Sequence, residues 1–188
     1  MQLNGLHHVT AITANAKGNL AFYTQTLGLR LVKKTVNQDD VSAYHLFYAD
    51  ANGSAGTEVT FFDWANIGAH TPGAGDISSI ALRVPGNGSL EWWRQHLDEA
   101  GIKTTTIGDT TGRRSLSFTD FEGQRLQLVE DGGAAGDSKG GAPWDRSPIP
   151  AEHFIRGLDA VTLTVRRLAP TDTVLRDAHQ SLLATRMR

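Results

Sequence analysis

Three kinds of side chain in this 188-residue sequence can do more than fill space: imidazole, carboxylate and the aromatic ring. His7 and His8 stand at the head of one apolar run, Leu6-His7-His8-Val9-Thr10-Ala11-Ile12. Glu58 heads another, Glu58-Val59-Thr60-Phe61-Phe62, and His45 sits between Tyr44 and Leu46-Phe47. Where thiolate is absent, imidazole and carboxylate are the side chains that hold divalent cations. The chain has no cysteine, which excludes disulfides, Cys-based zinc sites and thiol catalysis together. Each candidate also has a plain structural reading. A strand histidine is commonly hydrogen-bonded where it stands, and Glu58 and Glu130 read as solvent-facing strand carboxylates. Gly86-Asn87-Gly88 lacks the strand–GxxxxGK(S/T)–helix setting that phosphate binding needs. No nucleophile elbow or Ser-His-Asp spacing is present.

The elements that must position these residues follow from periodicity. His8, Thr10 and Ile12 alternate with His7, Val9 and Ala11, the pattern of a half-buried strand. Alternation therefore puts His7 on the face opposite His8. Asn15 is placed to cap a helix whose apolar residues are Leu20, Phe22-Tyr23 and Leu27, and Gly28 falls where a left-handed C-cap is wanted. Strands are expected over 29–36, 43–49 and 57–62, with a turn at Asp50-Ala51-Asn52-Gly53-Ser54. A connection over 65–75 leads to a second round. It has a strand at 77–84, a helix capped by Ser89 with Leu90, Trp93 and Leu97 on one face, then Gly101. Strands follow at about 102–107, 113–118 and 125–130. Lys33-Lys34 and Asp39-Asp40 read as a solvated turn with local charge pairing.

The scheme strand, helix, strand, strand, strand thus occurs twice, over about 6–64 and 76–131, and begins again at Gly157-Leu158-Asp159-Ala160-Val161-Thr162-Leu163-Thr164. One such unit cannot bury its own apolar face, so units must share a core. The fold class expected is α+β, with paired βαβββ modules and an incomplete third. The organisation is a two-module domain over 3–131, a Gly/Pro linker over 132–154, and a strand and helix over 155–188. Trp144 is read as tacking the linker down, and Trp92, off the helix stripe, as marking an interface. The unfinished third unit should pack on the main domain or exchange with a neighbouring chain, so a homodimer is expected.

Net charge is −2, which gives no basic field for nucleic acid or anionic lipid. No apolar run approaches a membrane span, and Met1-Gln2-Leu3-Asn4-Gly5 has no secretory leader. The expectation is a cytoplasmic protein without nucleic-acid or membrane partners.

Residues of this sequence carry a family resemblance beyond the repeat. The βαβββ scheme resembles the vicinal oxygen chelate superfamily, which includes glyoxalase I, bleomycin-resistance proteins and extradiol ring-cleaving dioxygenases. His7-His8-Val9-Thr10-Ala11-Ile12, Leu27-Gly28-Leu29-Arg30-Leu31-Val32-Lys33-Lys34-Thr35-Val36-Asn37-Gln38-Asp39-Asp40, Tyr44-His45-Leu46-Phe47-Tyr48 and Gly56-Thr57-Glu58-Val59-Thr60-Phe61-Phe62-Asp63-Trp64 look like the ring-cleaving dioxygenases of hydroquinone-type substrates. Pro143-Trp144, Ile149-Pro150-Ala151-Glu152-His153 and Ile155-Arg156-Gly157 fit them too. The resemblance runs from residue 3 to about residue 176.

It implies a longer protein with a completed third unit and a fourth, and a non-haem Fe(II) site shared between halves. The second His of the opening strand, His8 here, is the first ligand of such a site; the other two come from the fourth unit. Equivalent positions within this chain are His8, Ser79 and Ala160 on first strands, and Glu58 or Val59, and Gln127, on last strands. Of these, His8 is the metal ligand implied and Glu58 the candidate second. The implied substrate is a small aromatic diol, with Tyr44, His45, Phe47 and Phe62 as pocket residues. Two alternatives stay open. Ser79 and Gln127 favour a metal-free binding protein of the bleomycin-resistance type; in the metal reading, a divalent metal other than iron also stays open. A glyoxalase-like lyase is the third reading, and Ser79 argues against it.

Overall fold

Alternating apolar residues build a first sheet from β1 (His8–Thr13), β2 (Arg30–Val36), β3 (Tyr44–Ala49) and β4 (Glu58–Asp63), in the order β1-β4-β3-β2. The computed structural model describes residues 5–38, 40–86, 88–110, 112–132 and 140–167. β1 and β4 run parallel, while β3 is antiparallel to both of its neighbours, β4 and β2. Val9, Ala11, Leu46, Tyr48, Val59 and Phe61 are buried from one face of this sheet. Against them lies α1 (Ala16–Ala21), which widens into a π-helical turn over Phe22–Thr26. Asn15 Oδ1 accepts the Gly18 N–H at 2.9 Å, the expected N-cap, satisfying a donor that the helix itself leaves free. Leu20 departs from expectation. It is 39% exposed, whereas Asn19, Tyr23 and Leu27 are buried. Those three lie four residues apart, so the buried stripe runs one position off the one that Leu20 would extend.

The second sheet contains β5 (Asp76–Val84), β6 (Gly108–Thr110), β7 (Arg113–Thr119), β8 (Arg125–Glu130) and β9 (Gly157–Thr164), in the order β6-β7-β8-β5-β9. Its helix, α2 (Ser89–Glu99), buries Leu90, Trp93 and Leu97 completely. Full burial of such side chains contributes about 1.5–3 kcal/mol each. Two details differ from expectation. The N-cap is Gly88, at φ +85°, and Ser89 is the first helical residue. Its hydroxyl instead reaches His153 Nδ1 at 3.0 Å. Residues 102–107 do not form the expected strand; β6 starts only at Gly108. There the Thr105 hydroxyl takes the Ser117 N–H at 3.1 Å. A side chain thus takes the place of a ladder carbonyl, and regular pairing starts later.

The two units share one apolar cluster that runs from Val9 and Tyr23 to Trp93 and Leu128. A turn of the second unit also grips the first. The Tyr23 hydroxyl donates to Asp120 Oδ2 at 3.2 Å, the Ala14 N–H to Glu122 Oε1 at 2.9 Å, and the Thr13 hydroxyl to the other Glu122 oxygen. Burial, and then the Asp120 charge, raise the Tyr23 phenol well above its ordinary range. It therefore stays protonated and keeps donating.

The stretch expected as a linker is docked from Gly140 onward. Buried Asp50 accepts from the Asn52, Ser54 and Ala142 N–H groups and from the Ser54 hydroxyl. The Ser147 hydroxyl donates to the Gly28 carbonyl at 2.9 Å. Gly28 sits at φ +71°, and a Cβ there would come 2.4 Å from both Ile149 and Ser147; it is glycine for conformation and for space alike. Ile149, at 4% exposure, is the buried anchor. Trp144 is half-buried, with the Arg146 guanidinium over its ring. Trp92 stacks between His96 and His153, each at a centroid distance of 4.8 Å, so its partner is this returning segment. β9 then pairs antiparallel with β5 within the same chain. The helix expected near Val174–Thr185 lies outside the described residues. Among the described residues, no helix is long and apolar enough to cross a membrane.

Candidate functional site

The parallel register of β1 and β4 decides the site. His8 pairs with Glu58, Thr10 with Thr60 and Ile12 with Phe62, so these six residues share the sheet face that α1 does not cover. β3 extends that face: Phe47 lies opposite Thr60, and His45 opposite Phe62. His8 and Glu58 are thus direct neighbours.

His7 joins them, against expectation. Its Nδ1 lies 3.0 Å from His8 Nδ1 and 3.9 Å from Glu58 Oε2. One ligand atom from each of the three falls within 4.8 Å of the others. The reason is local. β1 begins at His8, so His7 precedes the strand and the alternation rule does not govern it. Its carbonyl is held instead by the Gly56 N–H at 2.8 Å. The one sequence signal was the His-His doublet itself.

Next to this cluster runs a polar and aromatic wall. His45 Nε2 lies 2.9 Å from the Thr60 hydroxyl, which donates to the Thr10 hydroxyl at 2.8 Å. With Thr60 donating onward, its oxygen accepts from Nε2, so neutral His45 carries its proton there and leaves Nδ1 as an acceptor. The ring packs between Phe47 and Phe62, at centroid distances of 4.0 and 4.2 Å, and Phe62 continues to Trp64. Burial, and then the nearby His8 and Lys33 charges, lower His45 from 6.5 to about 4. It is neutral at pH 7. The Lys33 ammonium lies 5.4 Å from the Phe47 centroid.

Tyr44 does not belong to this wall. It pairs with Asp63 and Val36, on the same face as Leu46 and Tyr48. It is 45% exposed at the strand end, with the Lys34 ammonium 3.8 Å from its ring centroid. Of the expected local pairing of Lys33-Lys34 with Asp39-Asp40, Asp39 lies outside the described residues, and among the described residues neither lysine pairs with Asp40. Both lysines lie over aromatic rings, and Asp40 accepts instead from Ser42 and the Trp64 indole.

The second sheet carries neither imidazole nor carboxylate at the equivalent positions Ser79, Gln127 and Ala160. Ala81 pairs with Gln127 and with Ala160, Ser79 pairs with Thr162, and Gln127 donates to the Ser115 hydroxyl at 3.1 Å. In this register the first-sheet counterpart of Gln127 is Thr60, not Glu58 or Val59. A cleft of about 420 Å³ opens at the far end of β1, lined by residues that include Ile12, His70, Asp76, Glu122 and Arg125. It does not include His8, Glu58, His45, Phe47 or Phe62.

Comparison with known proteins agrees with this architecture. The "Putative ring-cleaving dioxygenase MhqA" of Bacillus subtilis is 47% identical over 176 residues, 93% of this chain and 54% of that protein. The "Chlorohydroquinone/hydroquinone 1,2-dioxygenase" of Sphingobium indicum is 33% identical over 94% of this chain and 54% of its own length. A crystal structure of a "putative dioxygenase" from Bacillus subtilis superposes with a TM-score of 0.82 at 31% identity, over 92% of this chain and 54% of that one. This chain therefore spans about half the length of these relatives. The family model described as "Glyoxalase/Bleomycin resistance protein/Dioxygenase superfamily" matches residues 5–128, and the chain belongs to that superfamily.

Proposed function

We propose that this chain carries part of the active site of a ring-cleaving, extradiol-type dioxygenase that uses non-haem Fe(II) on hydroquinone-type or other aromatic diols. In this reading residues 3–131 are a two-module domain, 132–154 connect it, and 155–188 open a third module. The observation that carries the reading is the β1–β4 register. It sets His8 beside Glu58, with His7 at 3.0 Å and an aromatic wall on the same face. Two imidazoles and one carboxylate are the donor set of non-haem iron oxygenases, and the three ligand atoms lie close enough together to share one ion. His8 and Glu58 would hold the metal, with His7 beside them. The metal, when bound, supplies Lewis-acid and dioxygen chemistry.

The chain's own residues do the rest. Phe47 and Phe62 offer ring faces against which a flat substrate stacks. His45, neutral at pH 7, presents Nδ1 as an acceptor to a diol hydroxyl without taking its proton. The Thr60–Thr10 pair fixes that ring orientation. The names of the relatives support the substrate class.

The test is oxygen uptake with hydroquinone under Fe(II), with ring opening followed by absorbance. Uptake that falls at least tenfold in Phe47→Ala and disappears in His8→Ala supports the reading. Aromatic binding of equal strength with and without metal, and without uptake, favours the metal-free binding protein instead. Ser79, Gln127 and Ala160 on the second sheet are the residues that speak for that alternative.

A further inference from the structure

A bulge in β2 places a cation on the face that carries His8 and His45. β2 pairs Arg30 with Ala49 and Leu31 with Tyr48, then passes over Val32 and pairs Lys33 with Phe47. Without that extra residue Lys33 would stand opposite Leu46, on the face that α1 covers, because side chains opposite each other on adjacent strands share a face. With it, Lys33 and Thr35 join Phe47 and His45, and Lys34 turns to the other face, over Tyr44. Bulges re-aim side chains in this way.

Two rows of side chains then cross all four strands of that face. One is Lys33, Phe47, Thr60 and Thr10; the other is Thr35, His45, Phe62 and Ile12. His8 and Glu58 lie two residues from Thr10 and Thr60, beside the first row. Lys33 therefore ends the row that borders the candidate metal cluster. β2 is two strands from β4, roughly 10 Å, and the Lys33 ammonium leans over Phe47, 5.4 Å from its centroid. One substituted aromatic ring bridges such a span. None of the ion pairs among the described residues includes Lys33. Its charge reaches His45, where it adds to burial and to His8 in holding that imidazole low.

We infer that Lys33 selects aromatic diols that carry an acidic substituent. A ring carboxylate pairs with its ammonium while the ring stacks on Phe47 and a hydroxyl donates to His45 Nδ1. The inference rests on the ring-cleaving reading above for where the substrate lies. A carboxylate–ammonium pair open to solvent is worth up to about fivefold in affinity. Lys33 thus sets the preference among diols, and the aromatic wall sets whether they bind.

The probes are 2,5-dihydroxybenzoate and 2,5-dihydroxyacetophenone, which differ in charge and little in shape. Calorimetry on the metal-free protein near neutral pH keeps chelation by iron out of the comparison. At low salt the wild type should bind the acid roughly three- to fivefold more tightly than the ketone. Lys33→Met, which keeps the apolar stem, should bind both equally, and Lys34→Met should keep the wild-type preference. About 1 M NaCl should erase the preference, because screening there acts within roughly 3 Å. Equal affinities in the wild type overturn the inference. So does a preference that survives in Lys33→Met, which would assign the attraction to His7 and His8. If the ketone binds and the acid is not preferred, the aromatic wall stands and only the role of Lys33 falls. If neither compound binds at millimolar concentration, both fall.

Discussion

His45 gives a prediction with a worked size and sign. Burial lowers its imidazole from the ordinary 6.5 to about 4. At about 1.36 kcal/mol per tenfold change, that drop is worth ~3.4 kcal/mol for a fully shielded ring. His45 is only half-buried, so solvent screening reduces the effect to about 1–2 kcal/mol. The folded value lies below the unfolded one, so between the two the unfolded chain binds more protons and stability rises with pH. The contribution is complete above about pH 6.5 and is lost as pH falls towards 4. Urea unfolding of the wild type and of His45→Phe, at pH 7.5 and 4.5, isolates it from the other titrating groups. The wild type should lose about 1–2 kcal/mol more than the variant on acidification, and the ring resonances of His45 should not titrate near neutrality. An NMR midpoint near 6.5, or parallel losses in both proteins, would refute the reasoning.

Gly28→Ala should destabilise by about 2–4 kcal/mol in chemical denaturation, from left-handed backbone strain and overlap with Ile149. In that background Ile149→Ala should cost less than it does alone, because it relieves the overlap. Asp50→Ala removes the buried acceptor of four hydrogen bonds. A loss of at least ~2 kcal/mol and faster proteolysis of the stretch after Gly140 are expected; unchanged protection would mean that the stretch is held by other contacts. Phe62→Ala should weaken equilibrium binding of an aromatic diol by roughly 1 kcal/mol or more, whereas Tyr44→Ala, on the other face, should leave it unchanged. Calorimetry separates the two.

Much of this architecture was legible because it rests on short-range periodicity. The paired βαβββ units, the Asn15 cap, Gly28 and Gly101 after the helices, and the buried face of α2 all follow from patterns of two or three to four residues. His8 and Glu58 were nameable from the sequence, but their adjacency depends on a parallel register set by residues fifty positions apart, which local pattern cannot supply. His7 was assigned to the wrong face because alternation was extended one residue beyond the strand. Tyr44 was grouped with His45, Phe47 and Phe62 by chemical type, although alternation along β3 already separates it from them. Thr60 escaped notice because a strand threonine carries no signal until His45 is seen against it. The docking of 140–156 was legible only in Trp144, read as tacking the linker down; the contacts of that stretch with Asp50 and Gly28 were not, because glycine and proline signal an irregular path and are silent about what that path lies on.

The central claim is that His8 and Glu58 form part of a metal site on the open face of the first sheet. Anaerobic titration with Fe(II), followed by metal analysis after desalting, tests it most directly on the wild type, His8→Ala and Glu58→Gln. The account predicts stoichiometric iron in the wild type, none in His8→Ala, and at least tenfold weaker binding in Glu58→Gln. Iron retained equally by all three proteins, or by none of them, would contradict it.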